Sequence, residues 1–297
     1  MRSSPPGSPP PAEAGDGPVP AFLRSRSGGS TATVDTYRRR LARYVEWNHG
    51  TEIDRNRYDS YVAKLKRDGR QPNGIALDAQ VLLLFAEHMD ISTKGWQRPR
   101  SREVAVAWLR DAELEALRRA LADSECDGPD RVFAVDFLRG TGLRLGEFLA
   151  LRWRDVDMEE GLVTVRSGKG GKLRVVAVPW DGPPAGVRAI EGATAAFWRR
   201  HPERTLAEAR AVTGPVAPWR RQWEVHNWLR AGALRAGLGG VAVHPHLFRH
   251  GYTLDLVMRG VPLPVVQRLL GHSSLRTTSR YAQVTPVDIV EALRKAA

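Results

Sequence analysis

Apolar residues recur at helical spacing along most of the 297-residue chain, and this periodicity constrains the fold more than any other feature of the sequence. The first such stretch begins at Thr33, with arginines between its apolar positions. Those apolar positions are Val34, Tyr37, Leu41, Tyr44 and Val45. Two further helices are predicted around residues 59–66 and 75–88. The three stretches together predict a small all-helical domain over residues 31–92.

A second domain is predicted from residue 104 onwards. Asp111 is expected to cap a helix with a leucine-rich face, and two more helices are expected before residue 152. The leucines of that face are Leu114, Leu117 and Leu121. Residues 162–165 and 174–179 predict two strands, because they are rich in valine and flank the glycine-rich turn SGKGGK. The fold class is therefore mainly α with a small β-sheet, in which an α+β domain follows a helical one.

Composition marks the boundaries of these domains. Residues 1–30 are rich in Pro, Ser and Gly and are predicted to be a disordered tail, because they cannot bury enough apolar surface to offset their ordering entropy. The basic segment at 93–103 contains Gly95 and Pro99 as helix breakers and is interpreted as a linker. Residues 104–297 then form the second domain.

The charge balance predicts a polyanionic partner. Lys and Arg total 45 against 33 Asp and Glu, which gives a formal charge of +12. Nucleic acid is the favoured partner, since basic residues are spread through segments that are predicted to fold. No apolar run approaches the ~20 residues that span a bilayer, so no membrane role is expected. Cys126 is the single cysteine, and no secretory signal is recognisable, so we expect a cytoplasmic protein.

Four short motifs carry residue types that are suited to chemistry. They are TGLRLGE (141–147), SGKGGKLR (167–174), HPHLFRH (244–250) and LLGHSSLRTTSRYAQ (269–283). Each alone has a commoner structural interpretation, such as a turn, a solvated hairpin or a polar helix face. His246 and His250 have the i, i+4 spacing of a metal pair, but no third ligand accompanies them, and no metal or other cofactor is expected.

In this order and spacing, the four motifs resemble the tyrosine recombinase (phage integrase) family over roughly residues 33–290. The family's pattern is an Arg after TG, a hairpin Lys, the motif HxxR, and GH followed nine residues later by Tyr. This sequence supplies every member: Arg144, Lys169, His246, Arg249, His272 and Tyr281. The resemblance implies a helical core-binding domain joined to a mixed α/β catalytic domain, as in the simpler members of the family.

The resemblance also implies a mechanism. Tyr281 would attack a DNA phosphodiester and form a 3′-phosphotyrosyl link, with neither metal nor ATP. Arg144 and Arg249 would meet the charge on the non-bridging oxygens, since guanidinium groups are always charged and fork onto phosphate. Lys169 would protonate the leaving 5′-oxygen, and Lys172 of the same turn would contact phosphate. The histidines are assigned by resemblance, His246 to proton transfer and His272 to hydrogen bonding with the phosphate.

The expected partner is double-stranded DNA with paired recombination half-sites. The resemblance implies a homotetramer on DNA that forms from monomers, and a nucleoid-associated location. Arg220 and Arg221 are candidates for phosphate contact, although a solvated helix start is nearly as good an interpretation. Two alternatives remain open: a type IB topoisomerase, which shares the catalytic residues, and a DNA-binding protein that has lost catalysis.

Several other features are interpreted as structural. Glu147 is expected to neutralise a helix N-terminus rather than to catalyse. Four tryptophans are expected in the core: Trp153, Trp219, Trp223 and Trp228. His250 is expected to be a buried helix residue. Residues 198–218 have no functional interpretation.

Overall fold

The computed structural model of the protein describes five segments, residues 17–28, 31–101, 107–166, 173–178 and 184–271. The chain divides into two compact units, residues 1–104 and 105–297, each with its own apolar core. In the described segments, no helix combines the length and the apolar character that a membrane span requires.

Four helices form the described core of the first unit. They are α1 (Pro18–Ser25), α2 (Thr31–Asn48), α3 (Arg55–Arg67) and α4 (Pro72–His88). The three helices predicted from apolar spacing are thus confirmed as α2, α3 and α4. Helix α3 begins earlier than expected because the side chain of Asp54 caps it, accepting a hydrogen bond from the Arg57 backbone N–H at 2.9 Å.

Helix α1 was not predicted, and the expected disordered tail is wrong for this stretch. Phe22 is fully buried, with its ring centroid 6.0 Å from that of Tyr37 and 5.6 Å from that of Phe85. Pro18 fits the first helical turn, where its missing N–H costs nothing. Burial of this aromatic side chain stabilises a helix that is too short to persist alone. Residues 1–16 and 29–30 lie outside the described segments.

The described part of the predicted linker, residues 93–101, has no helix or strand. It nevertheless packs on the first unit. The ring of Trp96 lies 5.1 Å from that of Tyr58, whose hydroxyl donates to the carbonyl oxygen of Gln97 at 3.0 Å. The basic side chains of Lys94, Arg98 and Arg100 are exposed.

The second unit is built around helix α6. Its helices are α5 (Asp111–Ala122), α6 (Gly128–Thr141), α7 (Leu145–Ala150), α8 (Pro184–Arg200), α9 (Gln222–Arg235), α10 (Pro245–Met258) and α11 (Leu263–Leu270). Helix α6 packs against α5, α8 and α10. Gly140 permits the close approach of α8, because a Cβ there would lie 2.4 Å from the carbonyl oxygen of Ala185.

The start of α5 differs from the prediction by one residue. Asp111 is the first helical residue, and Arg110 occupies the N-cap position. The carboxylate of Glu113 accepts a hydrogen bond from the Arg110 backbone N–H at 2.8 Å, so the capping acceptor comes from inside the helix. The predicted apolar face is confirmed, since its three leucines are all buried.

A small antiparallel sheet follows α7, in the order β1 (Val156–Asp157), β2 (Leu162–Val165) and β3 (Arg174–Ala177). The two predicted strands are confirmed as β2 and β3, with Val163 opposite Val176 and Val165 opposite Arg174. Strand β1 was not predicted, because two residues carry no alternation. The buried valines of β2 and β3 fix the register against the core.

Residues 198–218 pack on the segment between α7 and the sheet. The backbone N–H of Trp153 donates to the Gly214 carbonyl at 3.1 Å, and that of Val216 donates to the Leu151 carbonyl at 3.0 Å. Trp153 is fully buried and Trp228 nearly so, while Trp219 is partly buried. The prediction was wrong for Trp223, which is 57% exposed at the start of α9.

The turn between α6 and α7 depends on Gly142. Its φ is +64°, a left-handed conformation that closes α6, and a Cβ would lie 2.2 Å from Cδ1 of Tyr252. Both the backbone angle and the close approach of α10 therefore require glycine.

We expect Gly142→Ala to destabilise the protein more than the matched change Gly237→Ala. Gly237 also has a positive φ, +73°, but a Cβ at that position would have no neighbour within 4 Å. The strain alone should cost about 1–2 kcal/mol, and the added clash at Gly142 about 1–3 kcal/mol more. Urea unfolding measures both values; equal losses would contradict the packing role given to Gly142.

Candidate active site

Arg144 occupies the N-cap of α7, directly after the Gly142 turn. Its backbone N–H donates to Oε2 of Glu147 at 2.9 Å, and its Nη1 donates to Oε1 of the same carboxylate at 2.9 Å. The expectation that Glu147 neutralises a helix N-terminus is therefore confirmed. The Arg144 side chain remains 30% exposed, so it is held in place at the surface of the unit.

A second arginine binds the same carboxylate. Arg174 of β3 donates from Nη1 to Oε1 of Glu147 at 2.9 Å and from Nη2 to Oε2 at 2.7 Å. Burial raises the pKa of Glu147, but the hydrogen bonds and charges of Arg174 and Arg144 outweigh it and lower the pKa to about 2. Glu147 is consequently ionised at neutral pH, although its side chain is only 4% exposed.

Arg249 of α10 joins two segments through their backbone. Its Nη1 donates to the Gly142 carbonyl at 2.6 Å, and its Nη2 donates to the Leu270 carbonyl at 2.7 Å. The first acceptor lies two residues before Arg144 in the chain. The guanidinium is buried, so these two bonds fix its position relative to the turn.

Both buried arginines meet the C-terminus of α11. Nε of Arg174 donates to the Leu269 carbonyl at 3.0 Å, beside the Arg249 bond to the Leu270 carbonyl. The last four carbonyls of a helix lack intrahelical partners and carry partial negative charge, so arginines satisfy them well. Gly271 ends the helix with φ +64°.

His246 lies in the first turn of α10, one turn before Arg249, and is exposed. Desolvation by the surrounding protein lowers its pKa, and the positive charges of Arg249, His244 and Arg144 lower it further. The imidazole is therefore biased towards its neutral form, which can accept a proton. The structure thus brings Arg144, His246 and Arg249 together.

The other histidine of this helix, His250, does not complete a metal site with His246. His250 is half-buried rather than buried as predicted, and its ring centroid is 6.4 Å from that of His246. Among the described residues, no group of three His, Cys, Asp or Glu side chains could hold a metal ion.

Four predicted site residues, Lys169, Lys172, His272 and Tyr281, lie outside the described segments. The described residues that neighbour these four in the chain are in contact with one another. Arg174 follows the hairpin turn that contains both lysines, and it contacts the end of α11, which directly precedes His272.

Four of the described tyrosines are poor nucleophiles. Tyr252 is 7% exposed against Gly142, and burial raises its pKa to about 12. Tyr44, Tyr58 and Tyr61 are buried in the first unit, and burial likewise raises the pKa of each to about 12. A phenol with so high a pKa is harder to deprotonate.

Arg220 and Arg221 are exposed at the start of α9. Their backbone N–H groups donate to Oε2 of Glu224 at 3.2 Å and 2.7 Å, as expected for a helix start. This end of α9 lies beside α7, because a Cβ on Gly146 would be 3.4 Å from Nε2 of Gln222. Both arginines are therefore close to the first turn of α7.

The arrangement can bind an anion. Among the described residues of this site, the guanidinium groups of Arg144, Arg174 and Arg249 accompany the carboxylate of Glu147, so positive charge is in excess. Residue types and their order identified two of these arginines and missed the role of Arg174. Its signal was a charged residue at the first position of a predicted strand, two residues after the glycine-rich turn ends.

The family profile that matches this chain and the individual proteins that resemble it agree with one another. The profile of the phage integrase family matches residues 107–287. The tyrosine recombinase XerA of Thermococcus kodakarensis is 30% identical over 274 residues, which cover 91% of this chain and 89% of that protein. The tyrosine recombinase XerC of Xanthomonas campestris pv. campestris is 31% identical over 283 residues, covering 90% of this chain and 83% of that protein.

Solved structures share the fold. The site-specific recombinase XerH, in a post-cleavage complex with its palindromic difH substrate, superposes with a TM-score of 0.66 at 17% identity, covering 93% of this chain and 83% of that one. The lambda integrase tetramer bound to a Holliday junction also gives a TM-score of 0.66 at 17% identity, covering 89% and 76%.

The low pKa of Glu147 predicts a specific loss of stability in acid. The unfolded carboxyl takes up a proton near its ordinary value of 4.5, whereas the folded one does so near 2. The contribution of the ionised group is present above pH 4.5 and disappears as the pH falls to 2, and amounts to about 3 kcal/mol. Glu147→Gln should be less stable at neutral pH and should lose less free energy of unfolding across this interval.

Urea unfolding between pH 2 and pH 6 measures the difference. Glu113→Gln is the matched control, because Glu113 accepts a backbone hydrogen bond at the start of α5 in the same way. The acid slope should change more in Glu147→Gln than in Glu113→Gln, because Glu147 also forms ion pairs with Arg144 and Arg174. Equal acid slopes in the two variants would show that these ion pairs are not the cause.

Proposed function

The chain belongs to the phage integrase family of tyrosine recombinases, enzymes that break and rejoin DNA at specific sites, and we propose that it does so with Tyr281 as its nucleophile. The observation that carries the residue assignments is the convergence of Arg144, His246 and Arg249. The bond from Arg249 to the Gly142 carbonyl supports this convergence, because Gly142 lies two residues before Arg144.

The arginines would stabilise the transition state. Attack on a phosphodiester gives five-coordinate phosphorus with additional negative charge on the non-bridging oxygens. Arg144 and Arg249 present fixed positive charge that requires no rearrangement during the reaction, and loss of one such donor costs about 3–4 kcal/mol of barrier. His246, biased towards the neutral form, is suited to accept the phenol proton of Tyr281.

The remaining residues are assigned by resemblance to the family, and with these roles the protons balance. The Tyr281 oxygen forms a bond to phosphorus, and the bond from phosphorus to the 5′-oxygen breaks. Lys169 would give its proton to that oxygen, while His272 would donate a hydrogen bond to the phosphate. The phosphotyrosyl ester retains the energy of the broken bond, so rejoining consumes no ATP. Lys172 is assigned to phosphate contact.

We propose double-stranded DNA with paired half-sites as the substrate and a homotetramer as the working form. The tetramer of lambda integrase on a Holliday junction supports this by likeness of fold. In the second unit, Arg220 and Arg221 would contact phosphate beside α7. In the first unit, α2 carries exposed arginines, such as Arg38 and Arg39, and the segment 93–103 includes the exposed Lys94, Arg98 and Arg100. Such contacts supply affinity that is independent of sequence.

Tyr281→Phe should bind DNA as tightly as the unchanged protein and form no covalent adduct. The change removes one oxygen and retains the ring, so a loss of activity reports nucleophilicity rather than folding. A nicked suicide duplex traps the adduct of the unchanged protein on a denaturing gel, and peptide mapping locates it.

Tyr252→Phe is the matched control and should still form the adduct. An adduct in the Tyr281→Phe variant, or one mapped to a serine, would disprove the assignment. Normal strand cleavage with free rotation of the cut duplex by a monomer would favour the topoisomerase alternative.

Lys169→Ala should be rescued by a substrate with sulfur at the 5′-bridging position, because a thiolate leaves without a proton. Lys172→Ala should not be rescued, since phosphate contact remains necessary with sulfur as with oxygen. Cleavage rates on the two substrates measure the rescue. The opposite pattern would exchange the roles of the two lysines.

A further inference from the structure

Arg174 is a buried arginine that the mechanism above does not use. Its side chain is 10% exposed and makes three hydrogen bonds, two to the oxygens of Glu147 and one to the Leu269 carbonyl. Gly271 closes over it, since a Cβ there would lie 3.1 Å from Cδ of Arg174. The guanidinium thus joins β3, α7 and the end of α11.

The carboxylate of Glu147 is shared unequally between two arginines. Arg174 binds both oxygens, whereas the Arg144 side chain binds only Oε1. Among the described residues, this is the one ion pair of the Arg144 guanidinium. The two-oxygen geometry is the stronger one, so Arg174 supplies most of the neutralisation of Glu147.

This division of the carboxylate affects Arg144 directly. A buried carboxylate without a full partner attracts the nearest cation strongly, because the interior screens charge poorly. If Arg174 were absent, Arg144 would be drawn from its partly exposed position into a two-oxygen pair with Glu147. A guanidinium in that position would be displaced from a phosphate at the surface.

We propose that Arg174 is a positioning residue, which neutralises Glu147 so that Arg144 stays extended towards the scissile phosphate. The proposal rests on the proposed role of Arg144. The alternative is a bridging role, in which Arg174 only connects three segments. The two differ in the part of Glu147: under the proposal, the charge of Glu147 displaces Arg144 once Arg174 is removed.

The two roles predict opposite effects of a second substitution. Arg174→Met retains an unbranched side chain and removes the charge; it should lower the rate of adduct formation roughly 100-fold, as misplacement by about 1 Å can do. Adding Glu147→Gln removes the charge that attracts Arg144, so the double variant should be at least about tenfold faster than Arg174→Met. Under a bridging role, the double variant would be as slow as the single one or slower.

Arg166→Met is the matched control. Arg166 precedes the same hairpin and pairs with one carboxylate oxygen of Asp155 at 2.5 Å, but its side chain is 55% exposed. Its loss should change the rate by no more than about twofold, because the buried Asp155 still accepts a hydrogen bond from the Arg152 backbone and, among the described residues, has no ion pair with Arg144. Arg174→Lys, which keeps the charge but lacks the planar fork that matches both oxygens, should fall between Arg174→Met and the unchanged protein. If Arg174→Met does not fold, Arg174→Lys takes its place in the same comparison.

A binding measurement makes the test independent of strand cleavage. In the Tyr281→Phe background, the affinity is measured for a half-site selected from random-sequence duplexes, with phosphate or neutral methylphosphonate at the scissile position. Arg174→Met should reduce the preference for phosphate, and Glu147→Gln should restore it. A preference unchanged by Arg174→Met, or not restored by Glu147→Gln, overturns the proposal. If this pattern of preference is found but the protein with Tyr281 intact forms no adduct, the proposed cleavage through Tyr281 is wrong and the role of Arg174 still holds.

Discussion

The second unit depends on one buried carboxylate. Glu147 accepts four hydrogen bonds, one from the backbone of Arg144, one from its side chain and two from Arg174. A carboxylate with so little exposure would be unstable without such partners, since burial strongly disfavours the charged form. Because the partners come from β3 and α7, satisfying this charge fixes the hairpin against the helix that begins at Arg144.

Arg249 also connects different elements by satisfying hydrogen-bond acceptors, which in its case are backbone carbonyls. It binds one carbonyl at the Gly142 turn and another at the end of α11, while Arg174 binds the neighbouring carbonyl of α11. Two arginines with little exposure thus satisfy acceptors at helix ends. Segments that are more than 100 residues apart in sequence, such as 142 and 249, are held together by polar bonds with defined geometry. Such bonds fix the position of functional groups more accurately than apolar packing alone does.

The sequence predicted the elements whose information is local. Helices α2 and α4 and the apolar face of α5 follow from spacing, and β2 and β3 follow from valine-rich runs around a glycine turn. Helix α1 was missed because its stability comes from Phe22 packing on Phe85, a contact that composition cannot reveal. Trp223 was expected in the core because of its size, but its helix turns it outwards, and only tertiary packing decides which face that is.

The candidate site likewise contains residues that the sequence indicates and one whose part depends on tertiary packing. The resemblance to the family pattern singled out Arg144, His246 and Arg249, and the fold brings these three residues together. The part of Arg174 could not be identified in this way, since its ion pair with Glu147 joins residues that are 27 positions apart and exists only after the sheet packs on α7. Glu147 itself was correctly expected at a helix N-terminus, yet the local pattern shows one cation beside it where the fold supplies two. A capping carboxylate with one partner would compete with phosphate for Arg144. With Arg174 as a second partner, the same carboxylate can orient Arg144 and still leave its guanidinium partly exposed. Arg144 can then be fixed in position by Glu147 and remain available to a phosphate.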